Sequence, residues 1–208
     1  MSALFSRYFD QCPLVAIIRG VTPDEVEEVG EAIYEAGIRI IEVPLNSPDP
    51  LGSIRRLSAR LGERALVGAG TVLNTAQVAE VAAAGGRLIV SPNMNVAVIQ
   101  ATVAAGLVSC PGYFTPSEAF AALDAGATAL KLFPAEAATP AVVKAQRAVI
   151  PRAVPLLVVG GVSASTMRAW LDAGATGFGL GSGVYVPGRS ASETGERARA
   201  YVEALSAA

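Results

Sequence analysis

The sequence predicts an α/β fold, a single-domain TIM (β/α)8 barrel over residues 1–208, and three observations carry that prediction. Eight short apolar runs alternate with helical patterns. Ala-Gly stops recur, with Gly37, Gly85, Gly106, Gly126 and Gly174 spaced 48, 21, 20 and 48 apart. The runs are apolar on both faces, as strands of a helix-covered parallel sheet must be. Glycine after a helix takes the left-handed conformation that other residues resist, so each Ala-Gly marks a helix end. Each gap of 48 reads as two units, with the missing stops at Leu61-Gly62 and Ile150-Pro151. Eight units of roughly 23–26 residues close as a compact barrel. A doubly wound open sheet is the competing arrangement.

In chain order the runs are PLVAIIRG, RIIEV, ALVGAG, RLIV, LVSC, TALKLF, PLLVVGG and TGFGLG. Helix starts are expected at Thr22-Pro23-Asp24-Glu25, Asn74, Thr115-Pro116-Ser117-Glu118 and Ser163, where side-chain oxygens can cap free N–H groups. No linker or low-complexity segment divides the chain.

Composition excludes several chemistries. With 208 residues, 52% hydrophobic and 16% charged, the chain can bury a large core and is not disordered. It has no histidine, which removes Ser-His triads, His-metal sites and imidazole acid-base work. Cys12 and Cys110 form no CxxC pair, so neither a disulfide scaffold nor a metal ribbon is expected, and a reducing cytoplasm suits them. A net charge of −2 offers no basic field to nucleic acid. The uncharged stretch from Leu88 to Ser117 is cut by prolines, asparagines and Gly112 into pieces too short to span a bilayer, so no membrane association is expected.

Function in a parallel barrel collects where strands end at their C-terminal side. Those ends carry Arg19-Gly20, Glu42 with Pro44-Leu45-Asn46-Ser47-Pro48, Gly68-Ala69-Gly70-Thr71, Ser91-Pro92-Asn93, Gly160-Gly161 and Gly181-Ser182. Lys131 stands out, because the chain has two lysines against 14 arginines and one sits inside an apolar run. Alternation points Ala129, Lys131 and Phe133 into the barrel, with Leu130 and Leu132 toward the helices. Desolvation lowers the pKa of a buried lysine and frees an amine able to attack a ketone. A lysine reaching the rim, or paired with a carboxylate, is the plainer reading.

Glu42 shares its face with Ile40 and Ile38 and is a candidate general acid/base; a static pair with Lys131 or Arg19 is its alternative. The glycine-rich ends at Gly160-Gly161-Val162-Ser163 and Gly181-Ser182-Gly183 suit a phosphate, or serve tight turns alone. Arg55, Arg56, Arg60 and Arg64 are expected to form a solvated helix face. Met94–Ala105 is apolar nearly all round, which predicts that another copy of the chain covers it.

The ordered set VAIIRG, RIIEVPLNSP, VGAGTVL, SPNMN, ALKLFPAE, VVGGVS and GLGSGVY resembles the 2-keto-3-deoxy-6-phosphogluconate and 2-keto-3-deoxy-6-phosphogalactonate aldolases over nearly the whole chain. The resemblance implies a TIM barrel, class I aldolase chemistry without metal or other cofactor, a phosphorylated 2-keto-3-deoxy sugar acid as substrate, and a homotrimer. It also implies Lys131 as the Schiff-base lysine and Glu42 as the general acid/base. Arg19, Thr71, Pro92, Phe133 and Val159 are then substrate-binding, and Gly160, Gly161, Gly181 and Ser182 hold phosphate. The phosphogluconate enzymes usually carry Arg-Thr after the strand-2 glutamate and Thr before the Gly-Gly. Leu45-Asn46-Ser47-Pro48 and Val159 depart from that pattern and favour the galactonate branch. A phosphosugar isomerase or epimerase on the same barrel, or a non-catalytic phosphosugar-binding protein, remains a reading of the residues alone.

Overall fold

The structure is a computed structural model describing residues 2–207. All the strand pairings within its one sheet are parallel. The strands are β1 (Leu14–Ile17), β2 (Ile40–Pro44), β3 (Leu66–Gly70), β4 (Leu88–Val90), β5 (Val108–Cys110), β6 (Gly112–Tyr113), β7 (Leu130–Leu132), β8 (Leu156–Val159) and β9 (Gly177–Leu180). Their spatial order is β5-β4-β3-β2-β1-β9-β8-β7-β6.

The expected run LVSC forms β5, and the chain adds an unexpected second half, β6, beyond Pro111, which has no N–H to give a ladder. The first half pairs with β4 and the second with β7. Across the break, the Thr128 N–H donates to the Ser109 carbonyl (2.8 Å) and the Lys131 N–H to the Pro111 carbonyl (2.9 Å). These bonds bring the two ends of the sheet together as a nearly closed barrel, so the open-sheet alternative is set aside.

Helices α2 (Val26–Glu35), α3 (Pro50–Leu61), α4 (Thr75–Ala83), α5 (Val96–Ala104), α6 (Pro116–Asp124), α7 (Pro140–Gln146), α8 (Met167–Asp172) and α9 (Ala191–Ser206) follow the strands around the ring. Glycines 37, 85, 106, 126 and 174 all have positive φ, as the Ala-Gly stops require. Asn74 and Thr115 cap α4 and α6 as expected, Thr115 with Glu118 in a reciprocal capping box. Two starts fall later than the sequence suggests. Thr22 and Glu25 bond each other ahead of α2, and Ser163 and Thr166 do the same ahead of α8. The hydroxyls close a local turn instead of the first helical turn.

Two hydrophobic layers result. Leu130, Leu132, Ile41 and Val43 pack outward against the helices, while Val15, Ile17, Ile40, Leu66, Leu88, Val90, Val108, Cys110, Ala129, Leu157 and Val159 fill the barrel. Ile38 belongs to the outer layer, not the interior: it precedes β2, directly after the turn at Gly37 (φ 114°), so strand alternation does not reach it. A first helix, α1 (Ala3–Phe9), has no counterpart in the βα repeat. Its Phe5, Tyr8 and Phe9 join the interior cluster, with Phe5 and Phe9 stacked at 4.7 Å. The arginines of α3 and of the short turn after it are not simply solvated. Arg56 bonds Glu27 and Asp24 of the neighbouring α2 segment, and Arg60 and Arg64 reach Glu31. Solvent at the exposed arginine ends screens these pairs, so they add little to stability.

Candidate active site

Two charged side chains are buried among the described residues, Glu42 (2% exposed) and Lys131 (7%). Alternation along β2 and β7 turns both into the barrel, where they line one narrow cavity with Phe5, Cys110, Leu157 and Val159. No ion pair joins Glu42 to Lys131 or to Arg19 among the described residues. Glu42 and Lys131 act on each other through their charges, without a direct ion pair. Glu42 Oε2 is buried with no hydrogen-bond partner, an arrangement a purely structural carboxylate avoids.

Burial sets the protonation of both groups. Desolvation pushes the Glu42 carboxyl from 4.5 up to about 7, and the positive charges of Lys131 and Arg19 offset only part of that. Desolvation also lowers the Lys131 ammonium below its ordinary value, against the pull of Glu42 and Cys110. Burial thus favours the neutral amine at Lys131 more than water would, and it gives the barrel a carboxyl able to give or take a proton near neutral pH. The Lys131 Nζ lies 4.7 Å from the centre of the Phe133 ring, which roofs it from the rim. Gly70 makes room for the carboxylate: a Cβ there would lie 1.8 Å from Glu42 Oε2.

A second cavity of about 360 Å³ opens at the C-terminal rim. Arg19, Phe133, Val159, Gly160, Gly161, Gly181 and Ser182 all line it, so seven of the residues singled out in the sequence converge there. Ile17, Val159 and Gly179 line both cavities and form the passage between them. Gly160 (φ 113°) and Gly161 (φ 64°) take backbone angles that other residues resist. Thr71 and Pro92 stand at the ends of β3 and β4 on the same rim but line neither cavity. Thr71 is held at φ 59°, strained for a β-branched residue, immediately after the glycine that accommodates Glu42.

The sequence reading missed three features of this region. Arg19 is held by a hydrogen bond from its guanidinium to Asn46 Oδ1, and Ser47 Oγ accepts the Gly20 N–H at 2.9 Å. The departure at Leu45-Asn46-Ser47-Pro48 thus tethers the loop after β1. Ile17 narrows the passage, and Glu136 enters the outer cavity. Glu136 lies within the quoted KLFPAE motif, but a charged loop residue leaves no periodic trace.

A family model described as KDPG and KHG aldolase matches residues 6–196. The chain belongs to the KDPG and KHG aldolase family. Within it, the chain is 46% identical over 192 residues to the 2-dehydro-3-deoxy-6-phosphogalactonate aldolase of Escherichia coli (strain K12), covering 92% of this chain and 94% of that protein. It is 48% identical over 195 residues to the probable 2-dehydro-3-deoxy-6-phosphogalactonate aldolase of Rhizobium meliloti (strain 1021), covering 94% and 92%. A solved structure described as native KDPGal superposes with a TM-score of 0.93 at 45% identity, over 95% of this chain and 96% of that one. The barrel of this aldolase-family chain is therefore the fold of its relatives.

Proposed function

We propose that the chain is a class I aldolase that cleaves 2-dehydro-3-deoxy-6-phosphogalactonate to pyruvate and D-glyceraldehyde 3-phosphate. The observation that carries this is an unpaired lysine and an unpaired glutamate facing one cavity inside an apolar barrel. The Lys131 amine attacks the C2 ketone, and loss of water gives a protonated imine. The Glu42 carboxylate takes the C4 hydroxyl proton as the C3–C4 bond breaks. The bonding pair passes to the imine nitrogen, leaving an enamine and freeing the aldehyde. Glu42 returns its proton to C3, and one water hydrolyses the imine to pyruvate and free amine. Phe133 shields the imine, Arg19, Thr71 and the Pro92 segment position the keto-acid end, and Gly160, Gly161, Gly181 and Ser182 hold the phosphate.

The epimer preference rests on Val159. It lines both cavities, so the carbon between the imine and the phosphate end passes it. A valine there offers no hydroxyl to the C4 group, so the contact by which a threonine would single out one C4 epimer is missing and strict gluconate selectivity is not expected. The names of the relatives support the galactonate epimer. Pyruvate release from both C4 epimers tests it: faster release from the galactonate epimer supports the reading, and release from neither rejects it. An isomerase or epimerase, or a mere binding protein, would give no pyruvate.

The assembly is read as a homotrimer acting in the cytoplasm, with residues 1–208 as one domain. Val96 and Val103 on α5 and Phe120 on α6 are exposed apolar side chains that a second copy would cover. Both cysteines are free and buried, which suits a reducing compartment, and no helix among the described residues is long and apolar enough to cross a membrane. Sedimentation at micromolar concentration tests the trimer, and a strict monomer rejects it.

A further inference from the structure

Glu136 is a carboxylate in an unexpected place. It sits on the short turn Ala135–Ala137, three residues beyond Phe133, and lines the outer cavity with Gly160, Gly161 and Ser182. Its side chain lies along the glycine pair: a Cβ on Gly160 would be 2.0 Å from Glu136 Oε2, and one on Gly161 2.9 Å from Glu136 Cγ. The missing side chains of the two glycines therefore make room for Glu136. Glu136 is exposed, and among the described residues no hydrogen bond or ion pair holds its carboxylate to another side chain or to the backbone, so it is free to meet a ligand.

An ionised carboxylate only accepts hydrogen bonds, and it repels a phosphate bound close by. Its presence at a phosphate loop calls for a ligand that brings a donor together with the anion. The proposed substrate supplies one. With C2 to C4 held between Lys131 and Glu42 and the phosphate at the glycine loops, the remaining hydroxyl is on C5, next to the phosphate-bearing carbon.

We propose that Glu136 is a specificity-determining residue that accepts a hydrogen bond from this C5 hydroxyl and selects hydroxylated phosphates over phosphate alone. The inference rests on the aldolase reading and deepens it. Inorganic phosphate meets only the repulsion; the hydroxylated chain meets the acceptor too.

The test runs the reaction toward synthesis, adding pyruvate to D-glyceraldehyde 3-phosphate or to 3-oxopropyl phosphate, which has the same length and lacks the hydroxyl. In Glu136→Ala, the ratio of kcat/KM for the hydroxylated over the plain acceptor should fall about tenfold. Competitive inhibition by inorganic phosphate should tighten roughly threefold in the same variant. Glu136→Gln, which keeps an acceptor and loses the charge, should tighten phosphate inhibition while retaining most of the acceptor preference. A residue serving only to hold the loop would shift neither quantity in this opposed way. An unchanged acceptor ratio in Glu136→Ala, or phosphate inhibition that does not tighten, overturns the assignment. Borohydride capture of pyruvate by the unaltered protein separates the two failures: without capture both readings fall, and with capture only that of Glu136 does.

Discussion

Replacing Glu42 by Gln should change how stability depends on pH. Folding raises the carboxyl from 4.5 to about 7, which is worth about 3 kcal/mol at about 1.4 kcal/mol for each unit of pKa. The folded state holds this proton more tightly than the unfolded chain does. Its contribution is therefore complete below pH 4.5, declines as the pH rises, and is lost above about 7. Lys131, whose pKa folding lowers, has the opposite slope: its contribution is present above the unfolded value and is lost as the pH falls through the folded one. The assay is urea unfolding of the native chain and Glu42→Gln at pH 4 and pH 8. Relative to the variant, the native chain should lose about 3 kcal/mol between those values. In a Lys131→Met background the decline should move to higher pH, because the cation that holds the carboxyl down is gone. Curves parallel to within about 0.5 kcal/mol would refute the claim that burial governs this group.

Three further outcomes follow from the same geometry. Thr71→Gly relieves a φ of 59° and should stabilise the fold by up to about 1 kcal/mol in thermal melting, while lowering kcat/KM if the strained threonine positions substrate. Val159→Thr should move the ratio of pyruvate release toward the gluconate epimer, and an unmoved ratio would show that the passage residue does not read C4. Phe5→Ala empties an aromatic position at 1% exposure and should cost about 3–5 kcal/mol, read as a lowered urea midpoint. A change below about 1 kcal/mol would mean that α1 does not close the barrel.

Much of the scaffold was legible because period-2 alternation and glycine stops are local signals. Lys131 and Glu42 turn inward as their positions in apolar runs require, and the Ala-Gly ends adopt the left-handed angles expected of them. What escaped depends on contacts between distant segments. Ile38 looked like a strand residue, but the strand begins two residues later. The run LVSC gave β5 but not β6, whose two residues matter only because β7 pairs with them while β4 pairs with β5. The spacing of Phe5, Tyr8 and Phe9 marks a short apolar helix face, yet nothing local says that it plugs a barrel. At the site, glycines around an anion were readable as composition. Asn46 and Glu136 were not, since each acquires its place through a partner loop folded against it.

The central claim is that Lys131 reacts as a free amine with a ketone. Borohydride reduction in the presence of pyruvate, followed by peptide mass analysis, tests it most directly. The account predicts a reduced pyruvyl adduct on the peptide carrying Lys131, lost in Lys131→Ala. A native chain that releases pyruvate from its substrate yet carries no adduct at Lys131 would contradict it.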